Sequence, residues 1–103
     1  MEDNIILNLG GIDNARDFES HARDQLIEMS EFLPYDTRIT ASFNRVGDEY
    51  LVALKIKSRD LEIRDSQIDS SPYMALDLVT TRTRDQVYSW WYRRFDYATG
   101  LSS

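Results

Sequence analysis

The chain has 103 residues, 42% of them apolar, which is the length of one domain with enough apolar side chains for a core of its own. It contains no cysteine, which excludes disulfides and thiolate chemistry, and no apolar run approaches the roughly 20 residues that cross a membrane. The N-terminus lacks the basic start and long apolar core of a signal peptide. We therefore expect a single domain over residues 1–103 in a soluble, cytoplasmic protein.

Charge is unevenly distributed along the sequence. The net charge is −6, which argues against indiscriminate binding to phosphate backbones. Residues 1–36 hold nine acids against two bases, whereas residues 37–64 hold six bases against four acids. The sequence therefore predicts a mildly basic middle segment behind an acidic first third.

The first half of the chain predicts a strand followed by a helix. Residues 4–9, NIILNL, are typical of a strand, which the two glycines after it would end. From about Ala15 to Leu33 the apolar residues recur at helical spacing between charged ones. The residues of that apolar stripe are Phe18, Ala22, Leu26, Met29 and Leu33.

Three strands and a long helix are predicted after that. Residues 38–43 and 50–58 alternate apolar and polar side chains around a Gly-Asp turn, which indicates a hairpin, and residues 60–65 predict a shorter strand. Residues 69–95 predict one helix, capped by Ser70 or Ser71 with Pro72 in its first turn and Trp90 at the end of its core stripe.

The predicted element order is β-α-β-β-β-α. A largely antiparallel four-stranded sheet with both helices packed on one face is the natural arrangement for this order. The sequence therefore predicts an α+β two-layer sandwich, similar to a double-stranded-RNA-binding domain.

The element order and the run SSPYMALDLVTTRTRDQVYSWW resemble the short ribosome hibernation promoting factors and ribosome-associated inhibitors, also called the sigma-factor modulation family. The resemblance covers about residues 5–95, including the first strand and its glycine. The residues that match the family in the second helix are Tyr73, Ala75, Leu76, Asp77, Val79, Arg82, Gln86 and Val87. In the first helix, they are Phe18, Leu26, Met29, Phe32 and Leu33.

The resemblance implies a protein that binds rRNA of the small ribosomal subunit and silences translation under stress, with no enzymatic activity and no cofactor. Basic side chains on the outward sheet positions and along the second helix would then contact RNA phosphates. The candidates are Arg38, Lys55, Lys57, Arg64, Arg82, Arg84, Arg93 and Arg94.

An alternative function follows from features that depart from the family. The first helix is acidic, the chain has two lysines, and Thr83 occupies a position where the family has leucine. Three apolar residues, Met74, Leu78 and Tyr92, fall on the predicted solvent side of the second helix. An exposed apolar row of this kind is typical of a surface that binds a protein partner or a second copy of the chain.

The sequence predicts no catalytic, cofactor-binding or metal-binding residue. His21 is the single histidine, and without cysteine or a second histidine the usual zinc sites cannot form. No GxGxxG or GK[ST] motif follows the glycine pair at 10–11. The aromatic run SWWYRRFDY (89–97) is most simply a packed helix end, with base stacking or partner contact as alternatives.

Overall fold

The computed structural model describes residues 4–10, 12 and 15–100, without the side chains of residues 15 and 94–100. The strands of its single sheet lie in the order β1-β2-β3-β4, with β1 parallel to β2 and the other pairs antiparallel. The predicted α+β two-layer sandwich is confirmed. The elements in chain order are β1 (Ile5–Gly10), α1 (Ala15–Ser30), β2 (Arg38–Val46), β3 (Glu49–Lys57), β4 (Glu62–Asp69) and α2 (Pro72–Gly100).

The sheet has one covered face and one open face because side chains alternate along each strand. On the covered face the apolar residues of β2 and β3 are almost fully buried beneath the helices, and Ile63 of β4 faces Ile56 in the register. Burial of this apolar area is the main stabilising contribution to the fold. The buried residues of β2 and β3 are Ile39, Ala41, Phe43, Val52, Leu54 and Ile56.

Helix α1 contributes the apolar stripe that its spacing predicts. Phe18, Ala22, Leu26 and Met29 are each at most 1% exposed. The helix ends at Ser30, three residues before its predicted end. The next three amides donate to carbonyls three residues back, which tightens the chain into turns ahead of the proline at position 34.

Helix α2 begins as its sequence predicts and ends its core stripe earlier than predicted. Ser71 Oγ accepts a hydrogen bond from the amide of Met74 at 3.4 Å, so Ser71 is the N-cap ahead of Pro72. Thr83 is fully buried and its hydroxyl donates to the carbonyl of Val79 at 2.9 Å. Trp90 differs from the prediction of a core position: it is half-buried, beside the open connection between α1 and β2.

A polar contact joins the two helices. The side-chain amide of Gln25 in α1 donates to Asp77 at 2.9 Å and accepts from the Thr80 hydroxyl at 3.1 Å. His21 Nε2 lies 3.0 Å from the same amide, and the His21 ring lies 5.2 Å from that of Tyr73. This histidine is therefore a structural residue of the helix–helix contact.

Strand β4 extends beyond its predicted end at residue 65, because pairing with β3 continues to the register pair Tyr50 and Asp69. On the covered face of the sheet, the later residues of β4 are polar. Asp65 and Gln67 there accept hydrogen bonds from an arginine of α2. Arg82 donates through Nε and Nη2 to Asp65 at 2.8 and 3.1 Å, and through Nη1 to Gln67 at 2.6 Å. These hydrogen bonds hold α2 against the edge of the sheet.

We expect Asp65→Asn to lower the melting temperature at pH 7. The hydrogen bonds from Arg82 hold the pKa of the Asp65 carboxyl below its ordinary value of 3.8. A carboxyl with a lowered pKa stabilises the fold above its unfolded pKa, and that stabilisation is lost as the pH falls through the lower folded value. The wild-type advantage over Asp65→Asn should therefore be complete at neutral pH, begin to fall near the unfolded pKa of about 4, and vanish only below the lower folded pKa.

Thermal unfolding of both proteins between pH 2 and 7 measures this difference. Asp48→Asn, in the exposed hairpin turn, makes the same chemical change at a carboxylate that has no arginine partner among the described residues. A pH-independent difference between wild type and Asp65→Asn would contradict the assignment.

Candidate nucleic-acid interface

Four predicted basic residues lie together on the open face of the sheet. Arg38 of β2 faces Lys57 of β3, and Lys55 of β3 faces Arg64 of β4 in the antiparallel registers. Residues that face each other in this way are close neighbours, and the two pairs occupy adjacent rows. We call Arg38, Lys55, Lys57 and Arg64 the basic patch.

One carboxylate lies among these cations. Glu62 is 3.7 Å from Lys57 Nζ and 3.3 Å from Arg64 Nε. The side chains of Lys57 and Arg64 remain 60% and 65% exposed, so water screens both ion pairs. The four cations of the basic patch outnumber Glu62 and Asp36, which lies beside Arg38 and Lys57, so the region is positive within a chain whose net charge is negative.

Two open hollows follow the basic patch across the sheet, and they share Thr40 and Lys55. One has a volume of about 450 Å³ and the other about 560 Å³. Cations with small side chains and hydroxyl groups between them suit a sugar–phosphate chain, which needs charge for its phosphates and room for its riboses. Besides the shared pair, the first hollow is lined by Asp36, Arg38, Lys57, Ser58 and Arg59, and the second by Ser42, Ala53, Leu54, Arg64, Asp65 and Ser66.

The acidic first helix is separated from the basic patch by the sheet. Phe18, Leu26 and Met29 bury α1 on the covered face, so its carboxylates lie in the other layer of the sandwich. This separation matters because interactions between exposed charges weaken over a Debye length of about 8–10 Å at physiological salt.

Three of the basic residues predicted on α2, Arg82, Arg84 and Arg93, do not join the basic patch, since α2 packs on the covered face. Arg82 is engaged by Asp65, and Arg93 Nε donates to the carbonyl of Ser89 at 3.3 Å. Arg84 is half-buried, and the Arg94 side chain lies outside the described part of the chain. RNA contact by these four residues stays a prediction.

The three apolar residues predicted as a partner surface are exposed. Met74, Leu78 and Tyr92 are 51%, 40% and 60% exposed along the outer side of α2. Their exposure agrees with the helical phase, and contact with a partner stays a prediction.

Sequence reasoning missed Arg59 as a neighbour of the basic patch. Arg59 lies in the connection after β3, and its backbone amide donates to Asp36 Oδ2 at 2.8 Å. Connections carry no alternation pattern, so no signal in the sequence assigns such a residue to a face. The hydroxyls of Thr40 and Ser42, by contrast, are placed on the open face by the alternation of β2.

Among the described residues, no three His, Cys, Asp or Glu side chains are grouped as a metal ion would require. The described helices include none with the length and apolarity to span a membrane.

Comparison with known proteins finds similarity in structure alone. No protein-family model matches the chain, and no curated protein matches it in sequence. The Protein Y N-terminal domain of Thermus thermophilus superposes with a TM-score of 0.69 at 18% identity, over 84% of this chain and 98% of that one. A ribosomal subunit interface protein from Coxiella burnetii superposes with a TM-score of 0.68 at 15% identity, over 84% and 94%. At these identities the similarity establishes a shared fold.

Proposed function

We propose that this protein is a ribosome-associated factor that binds rRNA of the small subunit through the open face of its sheet and silences or modulates translation under stress. The observation that carries the proposal is the basic patch, in which four cations from three strands form two adjacent rows. The shared fold with a protein described as a ribosomal subunit interface protein supports the choice of partner.

The chemistry of the open face favours the RNA backbone over its bases. The described strands place no aromatic ring among the open-face residues, so bases have nothing there on which to stack. Cations and hydroxyls instead match phosphates and ribose 2′-hydroxyls, the groups by which structured RNA is recognised. Four contacts with phosphates would give modest, strongly salt-dependent binding.

Co-sedimentation with 30S subunits and 70S ribosomes at low and moderate salt tests the proposal. We expect the wild-type protein to sediment with 30S subunits and 70S ribosomes at low salt and to be released as salt rises. Lys55→Glu combined with Lys57→Glu should abolish sedimentation at both salts, because it reverses two of the four charges in the basic patch.

The matched control reverses two exposed arginines outside the basic patch. Arg16→Glu with Arg45→Glu changes the net charge by the same amount, at the start of α1 and at the hairpin end of β2. This control should still sediment with ribosomes. Loss of binding in both double variants would indicate general charge repulsion, and wild-type protein at the top of every gradient would contradict ribosome association.

A protein-interaction or self-associating module is the second candidate function. The observation that favours it is the exposed apolar row of Met74, Leu78 and Tyr92. It predicts that light scattering detects homodimers and that the protein does not sediment with ribosomes. The proposed function predicts ribosome binding that does not require dimers.

A further inference from the structure

Glu62 is the carboxylate that the strand registers place within the rows of the basic patch. It faces Lys57 across β3 and β4, and Lys57 faces Arg38 on its other side, so one row holds two cations and a carboxylate. Ile63 is buried beneath the helices, so the alternation of β4 turns Glu62 to the open face together with Arg64. Glu62 therefore belongs to the surface that the proposed function assigns to RNA.

The Glu62 carboxylate lies between two cations and contacts each of them with a different oxygen. Oε1 is 3.7 Å from Lys57 Nζ, and Oε2 is 3.3 Å from Arg64 Nε. The Glu62 side chain is 45% exposed, so a ligand that approaches the open face can reach it. The order of groups on this part of the surface is thus a cation, a hydrogen-bond acceptor and a second cation.

This order matches the order of groups along an RNA backbone. Each ribose lies between two phosphates, and its 2′-hydroxyl can donate a hydrogen bond. A carboxylate is the group that accepts from a ribose 2′-hydroxyl in many dinucleotide-binding proteins. With phosphates on Lys57 and Arg64, the ribose that joins them would lie against Glu62. DNA lacks this hydroxyl and offers the carboxylate no donor in its place.

Stabilisation of the fold does not account for this carboxylate. Ion pairs between exposed side chains contribute little to folding, because water screens them and both side chains lose freedom. Within a phosphate-binding surface, moreover, a carboxylate repels every polyanion. A contact that only the correct partner can make would offset that repulsion, and a penalty combined with such a selective contact produces specificity.

We propose that Glu62 is a specificity-determining residue that accepts a hydrogen bond from a ribose 2′-hydroxyl and so selects RNA over polyanions that lack this donor. The proposal rests on the proposed function, because Lys57 and Arg64 must hold the two phosphates that flank the ribose. The two cations position the backbone, and the carboxylate between them recognises the sugar.

A pair of oligonucleotides that differ only in the 2′ group tests the proposal. One hairpin of the small-subunit rRNA would be made with ribose and with 2′-fluoro-ribose, which keeps the A-form sugar conformation and removes the donor. Fluorescence anisotropy at one fixed salt concentration measures both affinities. We expect the wild-type protein to bind the ribose hairpin at least about threefold more tightly. Equal affinities would overturn the proposal and leave the proposed function standing.

Glu62→Ala removes both the acceptor and the repulsion. It should bind the 2′-fluoro hairpin at least about twofold more tightly than the wild type does, and its own preference for the ribose hairpin should fall to about onefold. Loss of charge alone affects both hairpins alike, so the ratio of the two affinities reports the hydrogen bond. An unchanged ratio would overturn the proposal. The melting temperature should stay close to that of the wild type, since exposed ion pairs add little stability.

Glu49→Ala is the matched control, since Glu49 lies on the open face at the hairpin end of β3. A rise of about 3.3 Å per residue places it about 20 Å along the strand from Lys55, which is beyond a Debye length at physiological salt. Glu49 has no ion pair among the described residues. This variant should keep the wild-type preference for the ribose hairpin, and loss of the preference in both variants would overturn the proposal.

Ribosome co-sedimentation together with the hairpin pair separates this proposal from the proposed function. Wild-type protein that prefers the ribose hairpin but does not sediment with ribosomes would refute ribosome association alone. Wild-type protein that sediments with ribosomes and binds the two hairpins equally would refute the role of Glu62 alone. Wild-type protein that binds neither ribosomes nor hairpins would overturn both.

Discussion

Phe18→Ala is expected to lower the free energy of unfolding by about 3–5 kcal/mol, as large core truncations of phenylalanine do. Phe18 is 1% exposed, and its ring packs edge-to-face on Phe43 at 4.7 Å and on Tyr73 at 5.1 Å. One side chain thus joins α1, β2 and α2. Because a domain of this size has about 5–15 kcal/mol of stability in total, the variant would lose a large fraction of that stability. Urea unfolding followed by circular dichroism measures the loss.

Phe32→Ala is the matched control, since it makes the same truncation just beyond the end of the same helix. Phe32 is 41% exposed and contacts the Tyr88 ring at a centroid distance of 5.3 Å. Its loss should cost about 1 kcal/mol. Equal destabilisation by the two variants would contradict the position of Phe18 at the centre of the core.

Lys55→Gln with Arg64→Gln is expected to lower the affinity for structured rRNA at least about tenfold at about 0.1 M salt, and to reduce the slope of log K against log salt by about two. These two residues face each other across β3 and β4 in the middle of the basic patch. Each of these side chains is expected to neutralise about one phosphate and so to contribute about one unit to the salt slope. Neutralising both side chains should therefore reduce the slope by about two. Fluorescence anisotropy of a labelled small-subunit rRNA fragment over a salt series measures both quantities.

Arg84→Gln with Arg93→Gln provides the comparison that locates the contact. It also removes two positive charges, but from α2, in the other layer of the sandwich. We expect the salt slope of this variant to equal that of the wild type. If the slope falls for the helix variant and stays constant for the sheet variant, RNA binds along α2 and the open-face proposal is wrong.

The arrangement of charge explains how an acidic protein could still bind RNA. The basic patch faces one way, and the carboxylates of α1 lie behind the sheet. Over distances beyond a Debye length, salt screens the acids from a phosphate at the open face. Net charge therefore bears on the rate and the salt sensitivity of association more than on contact at the basic patch itself.

The sequence by itself determined the element types and which side chains share a face. The alternation in residues 38–43 and 50–57 places Arg38, Lys55 and Lys57 on one side of their strands, and the apolar spacing from Phe18 to Met29 defines the buried side of α1. Such patterns are readable because backbone geometry repeats every two residues in a strand and every 3.6 in a helix. The same local reasoning placed the cap of α2 at Ser70 or Ser71, and the structure shows that it is Ser71.

Only the tertiary structure decided which of these faces meet. The strand registers bring Lys55 opposite Arg64. The packing of α2 against the sheet brings Arg82 within hydrogen-bond distance of Asp65. It also leaves Trp90 half-buried in the wall of a hollow. These outcomes depend on contacts between residues that are distant in the sequence. A local pattern of apolar and polar residues carries no information about the energies of such contacts. The basic patch is such an outcome, because three strands must pair in one order before its four charges become neighbours.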